Sequence, residues 1–214
     1  MRRVIPVFAV VALLGASDSQ QAAPMTFFIT STGAGAGAKL GGLEGADRHC
    51  QTLADAAGSR GLQWHAYLSA IAKDGKPAVH AKDRIGRGPW HNVKGVQVAA
   101  SVADLHSDNN KLGKENSLTE KGGGVNGRGD TPNTHDILTG SNLDGTAFTA
   151  EGYSNCDNWT SDGAGATRVG HHDKMGGGEN PNSWNSAHSS RGCSLQNLQA
   201  SGGAGLFYCF GFAR

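Results

Sequence analysis

The chain has 214 residues, with 19 lysines and arginines against 18 aspartates and glutamates, for a formal charge of +1. A balance so near neutral argues against a nucleic-acid or anionic-membrane partner, which would call for a basic surface. With 33 glycines and only 7% aromatic residues, the chain implies many turns around a modest core, which benefits from covalent staples.

Arg2 and Arg3 open the chain, residues 4–14 are almost wholly apolar, and Gly15, Ala16, Ala22 and Ala23 are small residues beyond that run. This is the layout of a secretory signal, because the apolar run is well short of the roughly 20 residues a bilayer needs. Residues 1–23 are therefore expected to be a signal peptide cut between 16 and 23, and residues 24–214 one secreted or periplasmic domain with no stable membrane span.

Residues 25–31 (MTFFITS) are aromatic and β-branched, which predicts a strand. After a flexible Gly/Ala run, residues 44–57 predict a helix, with Ala46, Cys50, Leu53 and Ala57 on one face and Gly58 as the stop. Residues 62–71 alternate loosely and predict a second strand, and Gly88-Pro89-Trp90 predicts a turn that delivers a buried aromatic. Residues 96–105 suit either strand or helix. The polar stretch 106–136 is long for a structureless loop, a length that usually signals function or disorder. Residues 137–140 predict a short strand, Asp144-Gly145 a turn, residues 155–161 (NCDNWTS) a central strand, and residues 162–182 a second glycine-rich loop. The apolar, aromatic residues 204–212 predict a closing strand.

Cys50, Cys156, Cys193 and Cys209 are even in number and follow an export signal, so two disulfides are expected. No pair has C-x-x-C spacing, and three pairings are open. A nested pairing would tie the two ends of the domain together.

Four groups of residues then carry a resemblance. They are GADRHC (45–50) with WHAYLS (64–69); Asp83-Arg84-Ile85 with Gly88-Pro89-Trp90; Leu138-Thr139-Gly140 with Asp144-Gly145 and CDNWTS (156–161); and Ser183-Trp184, Cys193 and LFYCF (206–210). In this order the chain resembles the C-type-lectin-like fold, in particular its endostatin-like branch and related secreted bacterial lectin-like domains. The resemblance implies an α+β domain in which one or two helices pack on a twisted, mostly antiparallel sheet with long loops at one end. It also implies the pairs Cys50–Cys209 and Cys156–Cys193.

Calcium-dependent sugar-binding members resemble one another in a Glu-Pro-Asn or Gln-Pro-Asp triplet and a Trp-Asn-Asp triplet. Here the nearest string, Glu179-Asn180-Pro181-Asn182, is interrupted and follows Cys156 rather than preceding it, and Trp184-Asn185-Ser186 lacks the acid. Calcium takes about six to eight oxygen ligands, so the usual calcium–sugar site is expected to be absent. Endostatins, which the chain resembles, bind zinc near their N-terminus, where no matching histidine cluster occurs. His171, His172, Asp173 and His188 are of zinc-binding type, but they lack regular spacing to a further ligand. They are expected to hydrogen-bond locally, with no cofactor. Arg128-Gly129-Asp130 matches an adhesive tripeptide but is also ordinary turn chemistry.

Ligand contacts are therefore sought in the two polar loops, at Trp184, Asn185, Glu179, Asn182, Asp130 and His135. Trp159 and Trp184 are both candidate stacking platforms, with core packing favoured for Trp159. Neither a G-x-S-x-G elbow nor an H-E-x-x-H helix occurs, so the expectation is a binding domain for a glycan or an extracytoplasmic protein rather than an enzyme. The rival readings are an envelope interaction domain and a hydrolase whose site assembles from distant loops.

Overall fold

The computed structural model describes residues 23–213, so the signal-peptide expectation lies almost entirely outside the described residues. The fold is α+β. A six-stranded mixed sheet runs in the order β1 (Phe27–Ile29), β8 (Gly203–Ala213), β5 (Asp136–Leu138), β6 (Arg168–His171), β7 (His188–Ser189), and β2 (Leu62–Ala66) also pairs with β8. β3 (Trp90–His91) and β4 (Gln97–Ala99) form a separate small sheet. The helices are α1 (Gly42–Ala56), α2 (Val102–Leu105), α3 (Asn155–Trp159) and α4 (Leu195–Ser201). Every pairing in the large sheet is antiparallel except that of β5 with β8.

β8 is the axis of the fold. Side chains alternate across a strand, and those of β8 are buried on both faces, which is why it reads as a nearly continuous apolar run. Phe207 and Cys209 enter one core with Phe28, Trp64, Leu138 and Trp159, under α1. Tyr208 and Phe210 enter the other with Phe27, Tyr67, Trp90, Ile137 and Trp184. The residues 106–136 cover this second core by inserting Leu112 and Val125, so the long loop is a packed cover tied down by its own polar groups.

α1 begins two residues earlier than expected and buries Ala46, Cys50 and Ala54, with Leu53 at the edge and Ala57 exposed. Cys50 joins Cys209 of β8, and Cys156 joins Cys193, so all four cysteines are paired. Two such bonds point to an oxidising, extracytoplasmic compartment. Among the described residues no helix is long and apolar enough to cross a membrane.

Several expectations need correction. The second strand ends at Ala66, and residues 96–105 split into β4 and α2. Residues 162–182 contain β6, and α4 was not foreseen. Residues 155–161 form no strand. Asn155, Cys156, Asp157, Asn158 and Trp159 have φ between 46° and 71°, so α3 is a single left-handed helical turn rather than a right-handed α-helix. Such a conformation costs roughly 1–2 kcal/mol per residue, least for Asn and Asp. Here each residue is held. Asn158 both accepts from the N–H of Ile71 (2.9 Å) and donates to its carbonyl (3.0 Å). Trp159 Nε1 donates to the Ser69 carbonyl at 2.8 Å, Asp157 pairs with Lys73, and Cys156 is bonded to Cys193.

Candidate functional site

Two polar sites stand out among the described residues, an open cleft beside the second core and a buried cluster on the face of the sheet that carries Leu138 and Val169. The cleft, of about 420 Å³, lies between the end of α2, the turn at Leu143 and residues 179–185. Its exposed apolar lining includes Leu143, 53% exposed, and Pro181. Asn182 and Asp108 are exposed on the cleft lining, which also includes Lys174 and His106. His106 is fixed from behind. Its Nδ1 donates to the Val102 carbonyl (2.7 Å), so its Nε2 accepts from Tyr67 Oη (2.7 Å). Burial pushes the His106 pKa down and that of Tyr67 up.

The structure assigns the sequence candidates different tasks. Trp184 is 4% exposed. Its ring packs on Tyr67 and Tyr208 with centroids 4.8 and 5.2 Å away, and its Nε1 donates to the Leu105 carbonyl, so it is a core residue rather than a stacking platform. Asn185 is buried as well, and its amide donates to Tyr67 Oη and to the carbonyls of Asn142 and Leu143, bracing the cleft wall. Both carboxylate oxygens of Glu179 accept from the Arg168 guanidinium, at 3.0 and 2.7 Å, which holds that carboxyl below the usual range. With Glu179 engaged and Asn185 turned inward, these residues do not fit a calcium–sugar site. Asp130 accepts from Lys114 and from the N–H of Gly127, within its own loop. Asn182 alone of the residues 179–185 candidates presents an exposed amide at the cleft. Hydroxyls on the wall are committed, Ser107 to the Asp104 carbonyl and Ser183 to Asn185 Oδ1.

The buried cluster forms where β5, β6 and β7 lie side by side. Strand register sets Asp136 opposite His171 and Val169 opposite His188, and His135 precedes Asp136 on the chain. The Nε2 atoms of His135, His171 and His188 stand 3.3, 3.4 and 3.4 Å from Asp136 Oδ1. None of these contacts has hydrogen-bond geometry. Both Asp136 oxygens and His171 Nε2 are buried and meet no hydrogen-bond partner among the described residues. His135, Asp136 and His171 each bring one ligand-type atom within 4.8 Å of the other two. The His135 and His171 rings stack at 4.2 Å, only 11° from parallel.

The outer side of each ring is also occupied. His135 Nδ1 is 3.2 Å from Asp173 Oδ1, His171 Nδ1 is 2.7 Å from the Pro181 carbonyl, and His188 Nδ1 is 3.0 Å from the Ser189 carbonyl. Burial alone would raise the pKa of Asp173, but hydrogen bonds from His135 and from the N–H groups of Arg128 and Met175 outweigh it and hold the carboxyl well below its usual range. Burial lowers the pKa of His171, and Asp136 raises that of His188. The expected local hydrogen bonds to backbone carbonyls are present, but His171 and His188 lie on β6 and β7 rather than in a polar loop. His171 and His188 meet His135 and Asp136, Asp173 stands behind His135, and His172 faces away, with Nε2 3.2 Å from the Asn126 carbonyl. The missed signal is the strand 168–171 inside an apparent loop, whose register the sequence does not announce. No protein-family model matches the chain, and no curated protein sequence matches it.

Proposed function

We propose that the chain is an exported domain of the C-type-lectin-like kind, endostatin-like in character, that binds a glycan noncovalently in the cleft beside Asn182 and Leu143. The observation that carries this reading is the cleft itself. Its volume of about 420 Å³ falls in the range of ligand pockets, and it sets exposed apolar surface among polar groups braced from behind. The adjacent first and last strands, and the nested disulfides from α1 to β8 and from α3 to Cys193, support the fold assignment. The domain works without the calcium–sugar site, because Glu179 serves Arg168 instead.

A glycan array, run with and without calcium, tests the reading. Binding is expected in both conditions, and Asn182→Ala and Leu143→Ala should each weaken it about tenfold, near 1.4 kcal/mol. Both positions are exposed, so the fold should survive either change. Millimolar calcium should leave the melting temperature of metal-stripped protein unchanged. A reproducible rise abolished by Glu179→Ala would overturn the calcium-independent reading. Capture of one envelope protein, lost with the same cleft variants, would replace the glycan with a protein ligand.

A further inference from the structure

We propose that His135, Asp136, His171 and His188 form a buried binding site for one zinc ion, which clamps β5, β6 and β7 together beneath the loop 172–182.

The protonation pattern comes first. A carbonyl or carboxylate oxygen can only accept, so the Nδ1 of each of the three rings carries the proton. In the neutral tautomer each Nε2 then presents a lone pair inward. Three Nε2 atoms thus crowd one buried carboxylate oxygen to which, in this tautomer, none can donate, and a small tilt of the stacked His135 and His171 rings brings their lone pairs onto one ion. Such an arrangement is costly in a protein interior unless a positive charge offsets the carboxylate, and a metal ion does so in place of a proton on His188. Outer acceptors on Nδ1, including the carboxylate of Asp173, are the arrangement that orients metal-bound histidines.

The donor types and the Asp136 distances favour zinc. Zinc binds imidazole nitrogen and carboxylate oxygen at about 2.0–2.1 Å, and the edges of such a tetrahedron are about 1.63 times longer, roughly 3.3–3.4 Å. The three separations from Asp136 Oδ1 are 3.3, 3.4 and 3.4 Å. Octahedral or square-planar ligands on bonds of that length would stand closer together, about 2.9 Å apart. Calcium and magnesium are disfavoured because the donors are mostly nitrogen. His135, Asp136 and His171 are mutually within 4.8 Å, and His188, whose Nε2 is 3.4 Å from Asp136 Oδ1, turns in from the partly exposed edge as the fourth ligand of a structural site.

The surrounding chain is shaped to the cluster. A Cβ on Gly176 would lie 2.1 Å from His171 Cε1, so only glycine lets that loop close over the ring. A shallow cleft of about 310 Å³ above His135, His171 and His188 offers an entry path. Through His171 the site also reaches the Pro181 carbonyl, which lies on the wall of the cleft that holds Asn182.

The test uses the intact, disulfide-bonded protein, stripped with chelator. Isothermal titration should show one zinc per chain with a rise in melting temperature, and cobalt should give the intense visible absorption of a tetrahedral site. Calcium should do neither. His188→Gln lies at the partly exposed edge and should keep the fold, monitored by circular dichroism, while weakening zinc at least tenfold. His171→Gln should abolish the tetrahedral cobalt spectrum. Asp173→Asn, behind His135, should weaken zinc about 10–100-fold without removing a ligand. Failure of the folded wild-type protein to take up stoichiometric zinc would overturn the proposal, and so would zinc affinity unchanged in the folded His188→Gln variant. Neither result bears on glycan binding at the Asn182 cleft.

Discussion

At the C-terminal end of β5 the chain runs into a hydrogen-bonded network. Asn155 donates to the Ser69 and Gly140 carbonyls and accepts from the Thr167 hydroxyl, and Ser69 Oγ meets Ser141 Oγ at 2.8 Å. At the N-terminal end of the same strand, Asp136 is equally buried, yet its Oδ1 faces three imidazole nitrogens at 3.3–3.4 Å and neither carboxylate oxygen makes a hydrogen bond. Buried polar groups are almost always satisfied. One end of β5 is satisfied by the protein's own atoms, and its rigidity holds five residues in a left-handed turn. The other is complete as a ligand set and incomplete as a hydrogen-bonded core. A satisfied network therefore marks stability, and an unsatisfied one of matched donors marks a binding site.

This contrast can be broken at several points. The largest effect is expected from removing the Cys156–Cys193 bond with paired serine substitutions. A loop of sequence separation 37 corresponds to about 4 kcal/mol of lost stability by loop-closure entropy. Denaturant unfolding should register that loss while zinc affinity stays constant. A fall in zinc affinity would show that the two ends of β5 are one unit.

Asn155→Ala should cost about 2 kcal/mol, because it removes three buried hydrogen bonds while the Ser69 carbonyl keeps Trp159 and the Gly140 carbonyl keeps Phe148. That loss should be the same with and without zinc. Asp136→Asn should act with the opposite sign in stripped protein. An amide can donate to an Nε2 lone pair and removes a buried charge, so stability should rise by about 1 kcal/mol, and the thermal response to zinc should disappear. A destabilised, still zinc-responsive Asp136→Asn variant would remove the contrast.

The smallest effect concerns the turn that continues the satisfied end. The hydroxyl and N–H of Thr146, with Lys82 adding to them, bring the pKa of Asp144 down to about 2. A depressed carboxylate pKa stabilises the fold above the ordinary value of 3.8, and that contribution is lost as pH falls through about 2. A carboxyl titration followed by NMR should place the midpoint there, and Thr146→Val should move it upward. Because Asp144 is well exposed, global stability should change little.

What the sequence by itself determined is whatever local pattern or composition carries. The apolar run of β8, the buried face of α1 at Ala46 and Cys50, the buried Trp90 after its turn, and four cysteines suited to two disulfides are all legible, because burial on a strand or helix leaves a periodic trace. Tertiary structure decided the rest. Trp184 looked like a surface platform because its polar neighbours suggest a loop, yet Tyr67 and Tyr208 enclose it. Residues 155–161 read as a strand because the left-handed backbone of 155–159 is imposed by a disulfide and by bonds to Ser69 and Ile71, which no local propensity encodes. His135, His171 and His188 are too far apart in sequence to form a spacing motif, and they converge only because the register of β5, β6 and β7 aligns them around Asp136. Strand register is a property of the folded sheet, so a site built across three strands is visible only once the sheet exists.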